Sequence, residues 1–529
     1  MTKVASLQKR FAFKLGANVF GILLGLVTMS FVPRVLGPEQ FGKFEFITNN
    51  FKLIFDTLAL QVPVAYFNWV SRKGHKEDTD LATGATFYFS LAIATLFALF
   101  LAVSHAFGLH AWLWPDVAPE YLWAALAFTM VTFLYQFLVY LSDGKSLTVG
   151  LEQIRLVQNT LKFAVLALLA GGGLLTLGSY LWAQVAVVAA TVALSVRWLY
   201  RQDAWRLAAI RPWRFPKEEI QSYGAFVWDY ARPLTLLMLG GFLFLYFDRW
   251  FLQLIGGSMQ QGFFGLSDRL GQIAFLFTSA MTPLLTREFA LAHEEKDHAR
   301  LLILFERIKL FLFIATVASC FLSVQSGNIV ALIGGEKYKG AIIPIALMAL
   351  YPIHQTFGQL SGALMVATGQ TALYARLGII MMVVSLPITY FCIAPVSFAV
   401  PGLALGATGL ALKMLTWQFV GTNVQLFCNT RYLRTPFAKW LGLQVMMVAV
   451  IYGIAYTSHL VSGYFNLTWL LPLLQYPAVS ENLILHSCRL ISAGLVYLIA
   501  IAGLIWMVPG FAGITRKDIM VNPLSLLRK

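Results

Sequence analysis

Lysine, arginine and aspartate stand inside stretches of this sequence that otherwise read as lipid-soluble, and they are its main candidates for chemistry. Asn49, Lys52 and Asp56 lie at i, i+3 and i+7 and share one helical face, and Asp229 and Arg232 lie at i, i+3. A charge near the bilayer centre costs roughly 2.5–3.5 kcal/mol, so such groups face protein or a wet cavity. Seven basic groups (Lys52, Lys162, Arg232, Arg249, Arg269, Lys413, Arg489) stand in or at the ends of apolar runs, against four acidic ones (Asp56, Asp229, Asp248, Asp268). A cationic excess of this kind suits an anionic ligand. Lys52, Arg232 and Arg269, with Lys162 and Lys413, are the candidate ligand-holding groups, and Asn49 and Gln272 extend the same polar faces. Asp56 and Asp229 are the candidates for proton or sodium coupling, because a carboxylate beside a basic group can exchange a proton as its surroundings change. The competing reading makes Lys52–Asp56 and Asp229–Arg232 neutralising pairs that only ease insertion. Arg249 and Arg489, near helix ends, can reach the headgroups.

The elements that must position these groups follow from composition. The chain has 529 residues, 59% of them hydrophobic and 12% charged, with a mean hydropathy of +0.72. A soluble domain would carry about 25% charged residues, so this is an all-α polytopic membrane protein. Its net charge of +15 is spread over short segments between apolar runs, which excludes a nucleic-acid surface. The four cysteines (Cys320, Cys392, Cys428, Cys488) have neither disulfide nor metal spacing. The basic N-terminus lacks a cleavage motif and reads as an uncleaved first helix. No GxxxxGK[ST] phosphate loop is present, so no ATP-driven cycle and no cofactor is expected.

A spanning helix needs roughly 20 apolar residues. Fourteen segments qualify: 13–33, 44–68, 81–107, 119–141, 153–170, 176–199, 225–247, 262–286, 301–323, 341–368, 372–394, 402–427, 437–458 and 486–509. With the N-terminus inside, 28 of the 39 lysines and arginines fall in inner segments and 5 in outer ones. The positive-inside rule therefore predicts a multi-pass protein with both termini cytoplasmic. The expected organisation is an N-terminal six-helix lobe (1–199), a basic cytoplasmic connector (200–219), a second six-helix lobe (220–430), and two further helices with a cytoplasmic tail (431–529). The connector, with Trp205, Trp213 and its arginines, suits a stretch lying on the anionic inner leaflet, or simply obeys the charge rule. The longest outer segment, about 458–485, offers only His459 and Glu481 as ionisable groups, too sparse for a glycan polymerase or ligase. It also holds the sequon Asn466-Leu467-Thr468.

The chain also repeats itself. PRVLGPEQFGKFEF from Pro33 is echoed in DRWFLQLIGGSMQQGFFGLSDRLGQI from Asp248: Leu36-Gly37 and Gly42-Lys43-Phe44 align with Ile255-Gly256 and Gly262-Phe263-Phe264, one residue inserted, at an offset of about 220. This aligns Arg269 with Asn49 and Gln272 with Lys52, as candidate opposite walls of one cavity. These two stretches, with LIGGEKYKGAIIPIALMAL from Leu332 and LMVATGQTALYAR from Leu364, resemble the polysaccharide and O-antigen flippases of the multidrug/oligosaccharidyl-lipid/polysaccharide transporter superfamily. The likeness covers most of residues 10–430. It implies two pseudo-symmetric six-helix lobes in a V shape, alternating access, and a polyprenyl-diphosphate-linked glycan as substrate. Membrane lipids, and a polysaccharide polymerase or glycosyltransferases, are the partners it implies. Gly37, Pro38, Gly42, Asp248 and Gly262 match the family motifs, whose glycines and prolines are mainly structural. The alternatives are a drug or metabolite exporter of the same superfamily, for which an acidic interior is expected, and a non-transporting partner of a polymerase.

Overall fold

The computed structural model describes residues 7–73, 79–206, 215–464 and 481–514. Their regular elements are helical: α1 (Leu7–Leu58), α2 (Val62–Lys73), α3 (Asp80–Ala106), α4 (His110–Leu113), α5 (Pro119–Gly144), α6 (Thr148–Gly171), α7 (Leu177–Arg201), α8 (Lys217–Glu294), α9 (His298–Val324), α10 (Ser326–Ile333), α11 (Ile342–Ala367), α12 (Thr371–Ile393), α13 (Gly406–Tyr432), α14 (Phe437–Tyr464) and α15 (Glu481–Met507). All fourteen predicted segments fall on these helices. Ten stretches of the described residues are long and apolar enough to cross a bilayer. Two of the ten, Gly16–Leu58 and Met238–Gln272, run through a kink and take in parts of two predicted helices; α9 and α13 are not among them. Helix starts follow local chemistry: α5 opens with Pro119 in its first turn, and α7 opens with a reciprocal Thr176–Ser179 capping box.

The kinks in α1 and α8 correct the repeat register. Gly37 (φ 74°, ψ 168°) and Gly257 (φ 72°, ψ −179°) occupy a backbone region open essentially to glycine alone. Gly37 therefore corresponds to Gly257, not Gly256, and no residue is inserted before the Gly42/Gly262 pair. Two adjacent glycines read alike in sequence; only the dihedrals show which one turns the chain.

The segment expected at 44–68 is interrupted. Leu60 (φ 47°) and Gln61 (φ 61°) are left-handed, and α2 restarts with Pro63 in its first turn, where its missing N–H costs nothing. Asp56, expected mid-helix, thus sits in the last turn before a break. Gln61 Nε2 reaches Met238 Sδ on α8 at 3.4 Å.

The chain forms two compact units, Met1–Gly262 and Phe263–Lys529. The first includes α8 up to Gly262. Its core joins Tyr66, Val70, Phe137, Leu141, Leu199, Trp205 and Tyr223, so α2, α5, α7 and the start of α8 close on one another. Trp205 is buried against Phe87 and Phe137, with ring centroids 5.9 and 5.7 Å away, which removes it from the lipid surface that one of the two readings of the connector gave it. The left-handed turn at Asp203 folds the chain back so that Trp205 N–H reaches Leu199 O. Arg206, chiefly through its hydrogen bonds, holds the Asp203 carboxyl below the usual carboxylate range, a tie that is lost only as the pH falls through that lowered value. The rest of the connector, 207–214 with Trp213, lies outside the described residues, as do 465–480 with the sequon and the tail from 515.

In the second unit, α14 and α15 are part of the core. Trp440, Met447, Ile451, Tyr497 and Ile501 pack with Phe305, Phe313, Phe357 and Leu364 of α9 and α11.

Candidate functional site

After its kink, α1 carries a polar stripe, Glu45, Asn49, Lys52 and Asp56, spaced i, i+4, i+7 and i+11 so that all lie along one face. Glu45 is 2% exposed and accepts from Asn49 Nδ2 at 3.1 Å. Lys52 and Asp56 form the expected ion pair, but with side chains 68% and 51% exposed. The pair projects from the packed unit. Glu45 was missed from the sequence because it stands at the first turn of the predicted segment, although its spacing to Asn49 extends the stripe.

On α8, Asp229 and Arg232 are both exposed, and no ion pair joins them despite their i, i+3 spacing. Arg232 thus offers its guanidinium outward from an apolar helix. Lys162 on α6 is half-buried.

In the second unit, Asp268 and Arg269 are half-buried and Gln272 is exposed, donating to Asp268 Oδ2 at 3.3 Å. This part of α8 runs close along α11. A Cβ on Gly271 would stand 2.6 Å from Met348 O, Asp268 lies within electrostatic reach of Tyr351, and Thr282 meets Gln359 at 3.2 Å. Lys413 on α13 is 1% exposed, enclosed by the packing of its own unit. The structure therefore places Lys52, Asp56, Asp229, Arg232 and Gln272 on exposed surfaces, and Lys413 deep inside. Among the described residues no cluster of three His, Cys, Asp or Glu could hold a metal ion.

A second polar constellation was not legible in sequence at all. Near the kinks inside α1 and α8, Lys43 Nζ lies 2.9 Å from Glu39 and 3.5 Å from Asp116, the left-handed residue between α4 and α5. Ser258 Oγ donates to Asp116 Oδ2 at 2.6 Å, and Gln253 Nε2 donates to Ser258 Oγ at 2.7 Å and Pro115 O at 3.0 Å. Trp250 Nε1 donates to Trp112 O at 2.9 Å. Asp116 is thus a clasp between two kinks that are far apart in sequence. Asp116→Asn keeps a residue tolerant of left-handed backbone and removes the charge. We expect hydrogen exchange at 115–117 and 256–262 to quicken up to about fivefold, the scale of a half-exposed ion pair, and unchanged exchange would show the clasp to be incidental.

Comparison with known proteins follows from this geometry. The sequence profile of polysaccharide biosynthesis proteins matches residues 7–288, which include both kinks, the stripe and the clasp. The chain belongs to the polysaccharide biosynthesis protein family. Among curated proteins none matches it. Among solved structures it resembles an inward-facing multidrug resistance MATE family transporter of the MOP superfamily, with a TM-score of 0.63 at 15% identity over 78% of this chain and 94% of that one. It resembles the lipid II flippase MurJ in an inward closed conformation, with a TM-score of 0.62 at 14% identity over 94% of this chain and 99% of that one. A MOP superfamily transporter from Pyrococcus furiosus, described by a binding pocket of reverse polarity, matches with a TM-score of 0.55 at 15% identity over 82% and 98%. The fold of this family member is therefore that of MOP superfamily transporters, a polytopic bundle built for the membrane.

Proposed function

We propose that this protein is a flippase that moves a polyprenyl-diphosphate-linked oligosaccharide from the cytoplasmic to the periplasmic leaflet of a bacterial inner membrane by alternating access. One observation carries the reading: within a polysaccharide biosynthesis family member, Arg232 presents positive charge outward from an apolar spanning helix without an ion-pair partner among the described residues, and Lys52 does so beside Asp56. Such groups need an anion or water, and a diphosphate offers charge-assisted acceptors. In this reading Lys52, Arg232 and Arg269, with Lys162, supply the cationic field, while Asn49 and Gln272 bond sugar hydroxyls; Lys413, enclosed within its unit, makes no direct contact. The lipid tail stays in the bilayer. Asp56 or Asp229 is the site of proton or sodium coupling, both termini are cytoplasmic, and glycosyltransferases and a polymerase act before and after it. Export of cationic drugs would call for an acidic interior instead.

The test is lipid-linked oligosaccharide in cells lacking the protein, with leaflet position read by an impermeant glycan-modifying reagent. Glycolipid should accumulate on the cytoplasmic face and be released by the wild type but not by Arg269→Ala at equal protein level. Normal arrival at the periplasmic face without the protein, with no redundant flippase, overturns the reading.

A further inference from the structure

Cations are scarce on the side of this protein that the positive-inside rule assigns to the outside. Arg34, Lys43, Arg249, Lys337 and Lys339 are the five in its outer segments. Lys337 and Lys339 both stand on the exposed 3-10 turn Glu336–Ala341. Arg489 of α15 comes to the same corner of the second unit, since it and Glu336 both lie within electrostatic reach of His486. The charge rule disfavours cations here, so their gathering needs another cause.

The corner is built from α10, the 3-10 turn, α14 and α15. The chain turns from α9 into α10 at Gln325, which is fully buried. Gln325 Oε1 accepts from Asn328 Nδ2 at 2.7 Å and lies 3.3 Å from His459 Nδ1 of α14. Asn328 Oδ1 lies 2.8 Å from His486 Nδ1 of α15. Both amide oxygens are thus met, and both rings carry a hydrogen on Nδ1, because an amide oxygen can only accept. The buried nitrogens left open are Gln325 Nε2 and Arg489 Nε. Both are donors. The Arg489 guanidinium makes no hydrogen bond or ion pair among the described residues. Glu336, the carboxylate within reach of His486, is 83% exposed and is paired with Lys339.

Arg489 stands about 12 Å inside α15, a helix about 40 Å long against a hydrocarbon core of about 30 Å. With the helix centred on that core, Arg489 lies a little below the level of the outer phosphates. Snorkelling alone would put Nε in water, and here it is buried. Open buried donors are unfavourable until an acceptor arrives. An anion at phosphate depth supplies one.

We propose that this corner is an anion site for the phosphates of a lipid in the outer leaflet, held by Arg489 with Gln325 Nε2 and Lys337, and that the lipid is the translocated polyprenyl diphosphate. Three cations against Glu336 suit a diphosphate better than the single phosphate of a bilayer phospholipid. The identity of the lipid rests on the flippase reading; the site itself does not. It gives α14 and α15, outside the expected repeat, a task at the end of transport.

The test uses the full chain in sealed right-side-out vesicles of zwitterionic lipid, with an impermeant arginine-modifying reagent outside and modification mapped by peptide mass spectrometry. Arg489 should be modified, and polyprenyl diphosphate should slow that modification about tenfold or more, the scale of a charge-assisted hydrogen bond. Phosphatidylglycerol at the same mole fraction should slow it far less. Retention of polyprenyl diphosphate is then measured with Lys52→Gln, Asp56→Asn, Arg232→Gln and Arg269→Gln in place, which removes the candidate cavity's field. Adding Arg489→Gln should reduce retention about ten- to hundredfold, and Lys337→Gln less. Equal protection by phosphatidylglycerol overturns the assignment to the translocated lipid. Modification of Arg489 only from the inner face, no protection by either lipid, or unchanged retention with Arg489→Gln overturns the site. Protection is read on the wild type, so it decides the matter even where Arg489→Gln does not fold. Normal glycolipid export in cells lacking the protein, together with protection of Arg489 by polyprenyl diphosphate, refutes the flippase reading and leaves the anion site standing.

Discussion

Gly42→Ala should damage this protein more than alanine at any other described glycine. A Cβ at Gly42 would stand 1.7 Å from the carbonyl oxygen of Ser258 and 2.7 Å from the backbone nitrogen of Gly262. The contact is reciprocal, since a Cβ at Gly262 would stand 2.0 Å from Pro38 O. Backbone cannot yield as a flexible side chain does, so the kinked segments of α1 and α8 must part by an ångström or more, and the Lys43–Asp116–Ser258 clasp parts with them. Overpacking of this kind costs about 1–3 kcal/mol, and here it falls on a pair of kinks with no slack. Gly25→Ala is the control: it lies in the same helix with nothing within 4 Å, and alanine there gains up to about 1 kcal/mol of helix propensity. Thermal unfolding of the two purified variants should move in opposite directions. A Gly42→Ala protein as stable as Gly25→Ala would mean that the two kinked segments do not meet as described.

Neutralising the exposed cations should abolish transport without unfolding the protein. Arg232 makes no ion pair among the described residues and is exposed, so Arg232→Gln leaves no buried charge behind. Lys52→Gln is best made with Asp56→Asn, because the two are paired. An exposed pair contributes only about 0–1 kcal/mol to stability. A hydrogen bond between a charged group and a diphosphate contributes about 1.5–3 kcal/mol, equivalent to about a ten- to hundredfold loss of flipping per contact. Rates of leaflet equilibration at matched protein level should fall accordingly, and further when Arg269→Gln is added. Normal export by the combined variant would favour a non-transporting partner of the polymerase.

The amino-acid sequence by itself determined the helices, the repeat and the stripe, because each depends on local periodicity. Apolar runs of spanning length gave all fourteen segments, and the spacing of Asn49, Lys52 and Asp56 put them on one face. Glycines near a shared offset located the paired kinks to within one residue. Tertiary structure alone decided which charges meet a partner and which residues share a site. Asp229 and Arg232 have the spacing of a pair and do not form one. Lys413 looks like its fellow mid-helix lysine Lys162 and is sealed inside its unit. Asp116 meets Ser258 across 142 residues. Helical periodicity fixes the direction of a side chain relative to its own axis. What stands opposite depends on how the helices pack, and that is set by the summed burial of many distant apolar side chains.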